Sequence, residues 1–347
     1  MPEAGSPQPS PMPSWAEIRA RHRIHEDEAL LALDKPTGIS VMGERHDLDL
    51  VRLAEAAGER LFPVHRIDKA TSGLILFARE LRFHGDLTRQ FQRRTAGKRY
   101  LVLTRTRTRS RGLPAAGTID LPLSVGRKNR VRIAASRTDI LADLPPSAIS
   151  GSASSGSAVS GSASAGPVGA GASGPGGASG AAGSEPAEPE EGRWTVPAGS
   201  VFDQVPVYPS VTTFVRLWEG GEFTLLAATP VTGRRHQIRV HLAWIGHPIV
   251  GDPLFDRAPT TRTLLHSWRL MIDAGGRRLH LEAPPGPDFW TAVDGLIPPD
   301  LPAALPDLVT WDPPAQVPAA AVAPEEPARS SRRPAAARRR RSGGRAH

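Results

Sequence analysis

Apolar positions recur along this chain with two different periods. Residues 30–33 and 74–78 are continuous apolar runs of strand length, the first followed by the turn-forming Asp34-Lys35-Pro36-Thr37-Gly38. Residues 99–103, 131–134, 212–218, 223–227, 264–272 and 278–281 read as further strands, with a hairpin across Glu219-Gly220-Gly221-Glu222. Residues 48–59 and 80–93 carry helical periodicity. A third helix is expected from about Arg234 to Ile245, capped by Thr232 and closed by Gly246. In it Ile238, Leu242 and Ile245 form one apolar face, while Arg235 and Arg239 share another. Many strands with a few helices beside them predict an α+β fold, with a mixed, mainly antiparallel sheet.

Composition removes part of the chain from that fold. Residues 150–184 consist only of Ser, Gly, Ala, Pro and Val, which cannot bury enough apolar surface to offset the entropy of ordering. A coil is therefore expected at about 147–192, and two more at 1–14 and 313–347. The ordered residues then form one domain over 15–312, interrupted by an insertion in a surface loop, because closure entropy grows slowly with loop length.

Charge changes the picture once it is located. The formal net charge is +8, but residues 327–347 hold eight arginines and no acid. Without those eight, 35 basic residues face 35 acidic ones. Between Arg89 and Arg137, however, fourteen Lys and Arg accompany a single acid, Asp120. That asymmetry suggests one basic face suited to a nucleic acid, with an ordinary solvated surface as the alternative. No cysteine is present, which excludes disulfides and thiolate zinc sites and suits a reducing, cytoplasmic setting. No apolar run approaches a membrane span, and no secretion-type leader is read at the N-terminus.

Candidate chemistry concentrates in two segments. In the first, Asp68 lies between Arg66 and Lys69, just before Thr71-Ser72-Gly73 and the apolar run at 74–78. A carboxylate held at the mouth of a buried strand among cations suits catalysis on a polyanion. In the second, Arg239 on the expected helix is the natural partner for that acid, since an arginine on a packed element pairs with a carboxylate at little entropic loss. Read alone, the same segment is equally a basic helix covering a sheet. Tyr100, inside the basic run, suits stacking on an unpaired base or a place in the core. His236 and His241, five residues apart, do not match a helical metal pair. His65, Asp68 and Ser72 lack the elbow of a serine hydrolase, and neither a phosphate-binding nor a dinucleotide-binding glycine pattern is present.

The segment from His65 to Leu74 (H-R-I-D-K-A-T-S-G-L) resembles the signature of RluA-type pseudouridine synthases. Leu33 to Gly38, Lys98-Arg99-Tyr100, Thr232 to His241 with Gly246 to Asp252, and Leu265 to Trp268 resemble further blocks of that family, in its order. The resemblance implies the pseudouridine synthase fold with a central catalytic cleft, and isomerisation of uridine in rRNA or tRNA without metal or organic cofactor. Asp68 would be the catalytic aspartate, Tyr100 would lie against the target base, Arg239 would pair with Asp68, and Arg66 would help open the RNA. His65 and Ser72 would be scaffold. A monomer is expected, with the basic tail adding RNA affinity. Arg235 departs from the family pattern, which has Thr after T-G-R. The rival reading is a non-catalytic RNA-binding or RNA-folding protein on the same scaffold.

Overall fold

The structure, a computed structural model, describes residues 13–43, 49–106, 111–126, 130–146, 191–256 and 262–311. The coils expected at the N-terminus, within 147–190 and beyond 311 lie outside the described residues. At their edges, order reaches further than the composition suggests. Ser14 is already a helix cap, its hydroxyl accepting from Glu17 N while Glu17 accepts from Ser14 N. Glu191 and Gly192 are already strand residues.

Fourteen strands are present among the described residues. They are β1 (Arg23–Glu26), β2 (Leu30–Lys35), β3 (Phe62–Pro63), β4 (Ser72–Ala78), β5 (Gly97–Arg105), β6 (Ala116–Asp120), β7 (Leu123–Val125), β8 (Val131–Ile133), β9 (Leu141–Asp143), β10 (Glu191–Thr195), β11 (Val211–Gly220), β12 (Phe223–Pro230), β13 (Leu265–Ala274) and β14 (Arg277–Glu282). Five helices accompany them: α1 (Trp15–His22), α2 (Leu50–Ala56), α3 (Leu81–Arg93), α4 (Gln237–Trp244) and α5 (Leu301–Leu308). Twelve strands share one sheet in the order β1-β2-β4-β13-β5-β12-β11-β6-β10-β9, with β14 added on β13 and β3 on β4. Only β4/β13 and β6/β10 are parallel, so the sheet is mixed and mainly antiparallel, as the pattern predicted. The strand expected at 131–134 is a correction within that scheme: β8 pairs with β7 in a separate two-stranded sheet.

The continuous apolar runs are explained by burial on both faces. Along β4, Ile75 and Phe77 enter one core cluster, while Leu74, Leu76 and Ala78 enter another. Along β5, Tyr100 and Val102 join the first cluster, and Leu101 and Leu103 a third. The first cluster lies under α1, α2 and α4, through Ile18, Leu50 and Leu242. The other two lie under α3 and α5, through Leu87 and Leu305. Tyr100 and α4 therefore share one side of the sheet, which is where the loop ahead of β4 opens. Among the described residues no helix is long and apolar enough to cross a membrane.

Candidate active site

The loop that carries Asp68 is fixed at both ends. Its C-terminal end requires Gly73, which has φ +100°, a region that L side chains rarely adopt. A Cβ there would also lie 2.3 Å from the carbonyl oxygen of Ser267, because β4 runs close beside β13 at this point. Ser267 in turn is paired with Tyr100 on β5, so one glycine brings the loop and the tyrosine together. The loop itself is a tight turn, with Thr71 N donating to Asp68 O at 3.0 Å. From below, Gly38 N donates to Lys69 O at 2.8 Å, and Lys35 Nζ donates to the carbonyls of Pro36, Ile39 and Lys69. The turn at 34–38 is thus the clamp that holds the acid-bearing loop. Lys35 is fully buried, and burial pushes its pKa down to about 7 against the pull of Asp68 and Asp34.

On the far wall, Arg239 Nη1 donates to Asp68 Oδ2 at 2.9 Å. Its other two nitrogens donate to Asp252: Nε to Oδ2 at 2.7 Å and Nη2 to Oδ1 at 2.8 Å. Burial opposes the charge of Arg239, but the hydrogen bonds and charges of Asp252 and Asp68 outweigh it and hold the pKa above the usual arginine range. A guanidinium gripped bidentately from behind presents one N–H forward with little freedom to turn away. The pairing of Arg239 with Asp68 was expected from the sequence. Asp252 was not, although it ends the Gly246 to Asp252 block. A buried acid beside a glycine carries no local signal of its partner.

The helix expected from Arg234 is shorter. α4 begins at Gln237, and its N-cap, His236, is in the left-handed region with φ 54°. Thr232 caps nothing directly. Its hydroxyl accepts from Val211 N and donates to Gln237 Oε1, so the turn 232–236 is tied to β11 through side chains. Arg235 therefore lies outside the helix and shares no helical face with Arg239. The stop at Gly246 holds, with φ +99° and His247 N donating to Leu242 O. The left-handed turn brings His236 Nε2 to 3.7 Å from Asp68 Oδ1. Burial pushes the pKa of His236 down, with Arg239 and Arg235 acting in the same direction and Asp68 against them. His241 lies elsewhere, buried against Thr212 Oγ1 and Leu121 O.

Asp68 stands between two hollows. The first, about 330 Å³, is lined by Tyr100, Ile67, Thr71, Lys98, Phe91 and Leu265 among others. Tyr100 is 9% exposed, and burial pushes its hydroxyl up to about 12, with the Asp68 charge adding and a hydrogen bond to Ser267 opposing. It is both a core residue and a wall of the cleft. Arg66 is exposed at the rim and lines both hollows. The supposed triad does not assemble: Ser72 Oγ bonds His266 Nδ1 at 2.8 Å, and His65 stacks on Phe91 and accepts from Leu76 N.

The sequence profile of a family described as RNA pseudouridylate synthase matches residues 29–244. The chain is 29% identical over 249 residues to the dual-specificity RNA pseudouridine synthase RluA of Vibrio vulnificus, covering 71% of each protein. It is 27% identical over 283 residues to the protein of the same description from Escherichia coli O157:H7, covering 79% of this chain and 95% of that one. The fold resembles that of human RNA pseudouridylate synthase domain containing 1, with a TM-score of 0.53 at 19% identity over 84% of this chain and 96% of that one. The profile and these sequence relatives together define a pseudouridine synthase. The chain belongs to the RNA pseudouridylate synthase family, among its RluA-type members.

Proposed function

We propose that this enzyme converts specific uridines of rRNA or tRNA to pseudouridine in the hollow lined by Tyr100, with Asp68 as its catalytic carboxylate. The observation that carries the reading is the fixed chain Asp252–Arg239–Asp68 at the mouth of that hollow. The reaction breaks the N1–C1′ bond, turns the base and joins C5 to C1′, with N1 gaining a proton and C5 losing one. A stacked uridine cannot present those atoms, so the nucleotide is extruded first, at a cost of a few kcal/mol. Arg66, exposed at the rim, enters the space that the uridine leaves, and the basic residues around the cleft hold the backbone. Tyr100 lies flat-walled against the base and stays protonated at any physiological pH. Asp68, oriented by Arg239, acts as the nucleophile or base on the ribosyl–uracil unit. A partly enclosed hollow keeps the detached uracil from being lost.

The reading extends to the chain as a whole. β9 and β10, which flank residues 147–190, pair antiparallel through Arg193 and Asp143. Their adjacency supports one catalytic domain in which that stretch is an insertion at the end of a hairpin.

The test is pseudouridine mapping of total RNA from cells with the wild-type chain, without it, and with Asp68→Asn. A site lost on deletion and restored by wild type but not by Asp68→Asn is the expected result, with RNA binding largely retained in the variant. Restoration by Asp68→Asn would remove the role given to the acid. A purified wild type that modifies no RNA would favour the non-catalytic RNA-binding alternative.

A further inference from the structure

The second hollow, of about 430 Å³, adjoins the first and shares with it Arg66, Ile67, Asp68, Arg235, His236 and Arg239. Nothing in the reaction just described uses it. Its remaining wall has three properties that together point to an occupant. First, it is apolar and open to solvent: Met42 is 51% and Leu254 58% exposed, an unusual placement for large apolar side chains beside a charged centre. Second, it adds a cation, Lys69, to the shared Arg66 and Arg235 at the rim. Third, Ser40 lines it, is 5% exposed, and its hydroxyl is buried with no hydrogen-bond partner. A buried hydroxyl left without a partner is costly to keep, so a site that retains one is suited to a ligand that completes it. The first hollow has the same device: Thr71 lines it, and its hydroxyl is likewise buried without a partner.

Apolar faces, a hydroxyl able to donate or accept, and cations at the rim are what a nucleotide requires: two flat faces, a polar edge and a phosphate. Because the hollows share the wall that holds Asp68, a nucleotide of the target strand is the occupant nearest at hand. Resting on the pseudouridine synthase reading, we infer that the second hollow binds the base of a nucleotide flanking the target uridine, held between Met42 and Leu254 with its edge on Ser40 Oγ. Leu254 is placed there by the same acid that holds Arg239, since Leu254 N donates to Asp252 Oδ1 at 2.9 Å. Recognition of the neighbour and orientation of the catalytic acid are thereby built on one carboxylate. Selectivity for one uridine over others follows from the second base, as uracil alone is the same everywhere.

The experiment uses the full chain and a synthetic RNA stem-loop carrying the uridine found by mapping, with an abasic residue at each flanking position in turn. For the wild type, one flanking position raises KM roughly tenfold when its base is removed, the loss of one stacked or wedged base. In the double variant Met42→Ala/Leu254→Ala the intact RNA already shows that raised KM, and the abasic residue adds nothing. Ser40→Ala raises KM for the intact RNA without lowering Tm, because removing an unsatisfied hydroxyl does not weaken the fold. An abasic penalty equal in wild type and double variant, or absent at every flanking position, overturns the inference while leaving Asp68-dependent activity standing. A wild type that forms no pseudouridine in any RNA overturns the parent reading and this one with it.

Discussion

Asp252, with no exposed side-chain surface, holds Arg239 through two hydrogen bonds of 2.7 and 2.8 Å. Asp252 lines neither hollow, so it acts on the cleft only through the arginine. Asp252→Asn replaces one acceptor by a donor and leaves a buried guanidinium half-paired. The expected loss of stability is about 3 kcal/mol. The freed guanidinium no longer fixes Asp68, so kcat falls by more than tenfold with KM for RNA little changed. Urea unfolding and steady-state kinetics check both parts. An unaltered kcat in a folded Asp252→Asn protein would show that the grip on Arg239 does not matter.

Gly73→Ala is expected to prevent folding or to destabilise by more than about 3 kcal/mol, since strain at the positive φ and the collision with the Ser267 carbonyl add together. Thermal unfolding is the measurement. Gly221→Ala, at the tip of the hairpin between β11 and β12 where φ is +60° but nothing lies within 4 Å, has the strain without the collision and is expected to cost less. Equal losses at the two sites would remove the role given to the close approach of β4 and β13.

Lys35 gives the fold a dependence on alkaline pH. Its folded pKa is about 7 against an ordinary 10.5, so between those values the unfolded chain binds more protons than the folded one. Stability therefore rises with pH across that window. Lys35→Met removes the ionisable group, and the stability difference between wild type and variant should shift in favour of wild type by about 1–3 kcal/mol from pH 7 to pH 9.5. Urea midpoints at the two pH values measure it; parallel curves would contradict the assignment.

Acid acts through the buried histidines. His241, His247 and His266 are each pushed down to about 4 by burial. Between pH 6.5 and 4 the unfolded chain takes up protons that these side chains refuse in the fold, so stability falls as pH falls. His266, which donates through Nε2 to Ala283 O and accepts from Ser72 through Nδ1, illustrates why protonation is opposed: an imidazolium would set an N–H against the hydroxyl oxygen unless that group turned. The urea midpoint at pH 5 should lie well below that at pH 7.5, and His266→Asn should shallow that slope. A midpoint flat between these pH values would mean that the histidines are charged in the fold.

Much of the architecture was legible in the periodicity. The runs at 30–33 and 74–78 became β2 and β4, and the Glu-Gly-Gly-Glu hairpin formed as read, because fully buried strands and tight turns leave composition marks that need no partner to interpret. The short strands β6, β7, β9 and β10 were not read. They are three to five residues long, and β6 and β10 begin with or contain glycines that packing, not propensity, makes extended. The turn ahead of α4 was misread as helix because Thr232 is a favourable cap by type. Its actual partners, Val211 and Gln237, belong to a different strand and to the helix itself.

The sequence by itself determined the fold class and the family, and it singled out Asp68 as the candidate acid, since these rest on residue types at fixed local spacings. The tertiary structure alone decided how that acid is held. Asp68 and Arg239 are 171 positions apart, and Asp252 reaches Arg239 from a third loop. Lys35 supports the same loop from 34 positions upstream of Lys69. Such pairings are set by the register of β4 on β13 and β13 on β5, and a register is a property of the packed sheet rather than of any one segment. The division of the cleft into two hollows, each with an unsatisfied hydroxyl, is likewise a consequence of which side chains packing leaves without partners.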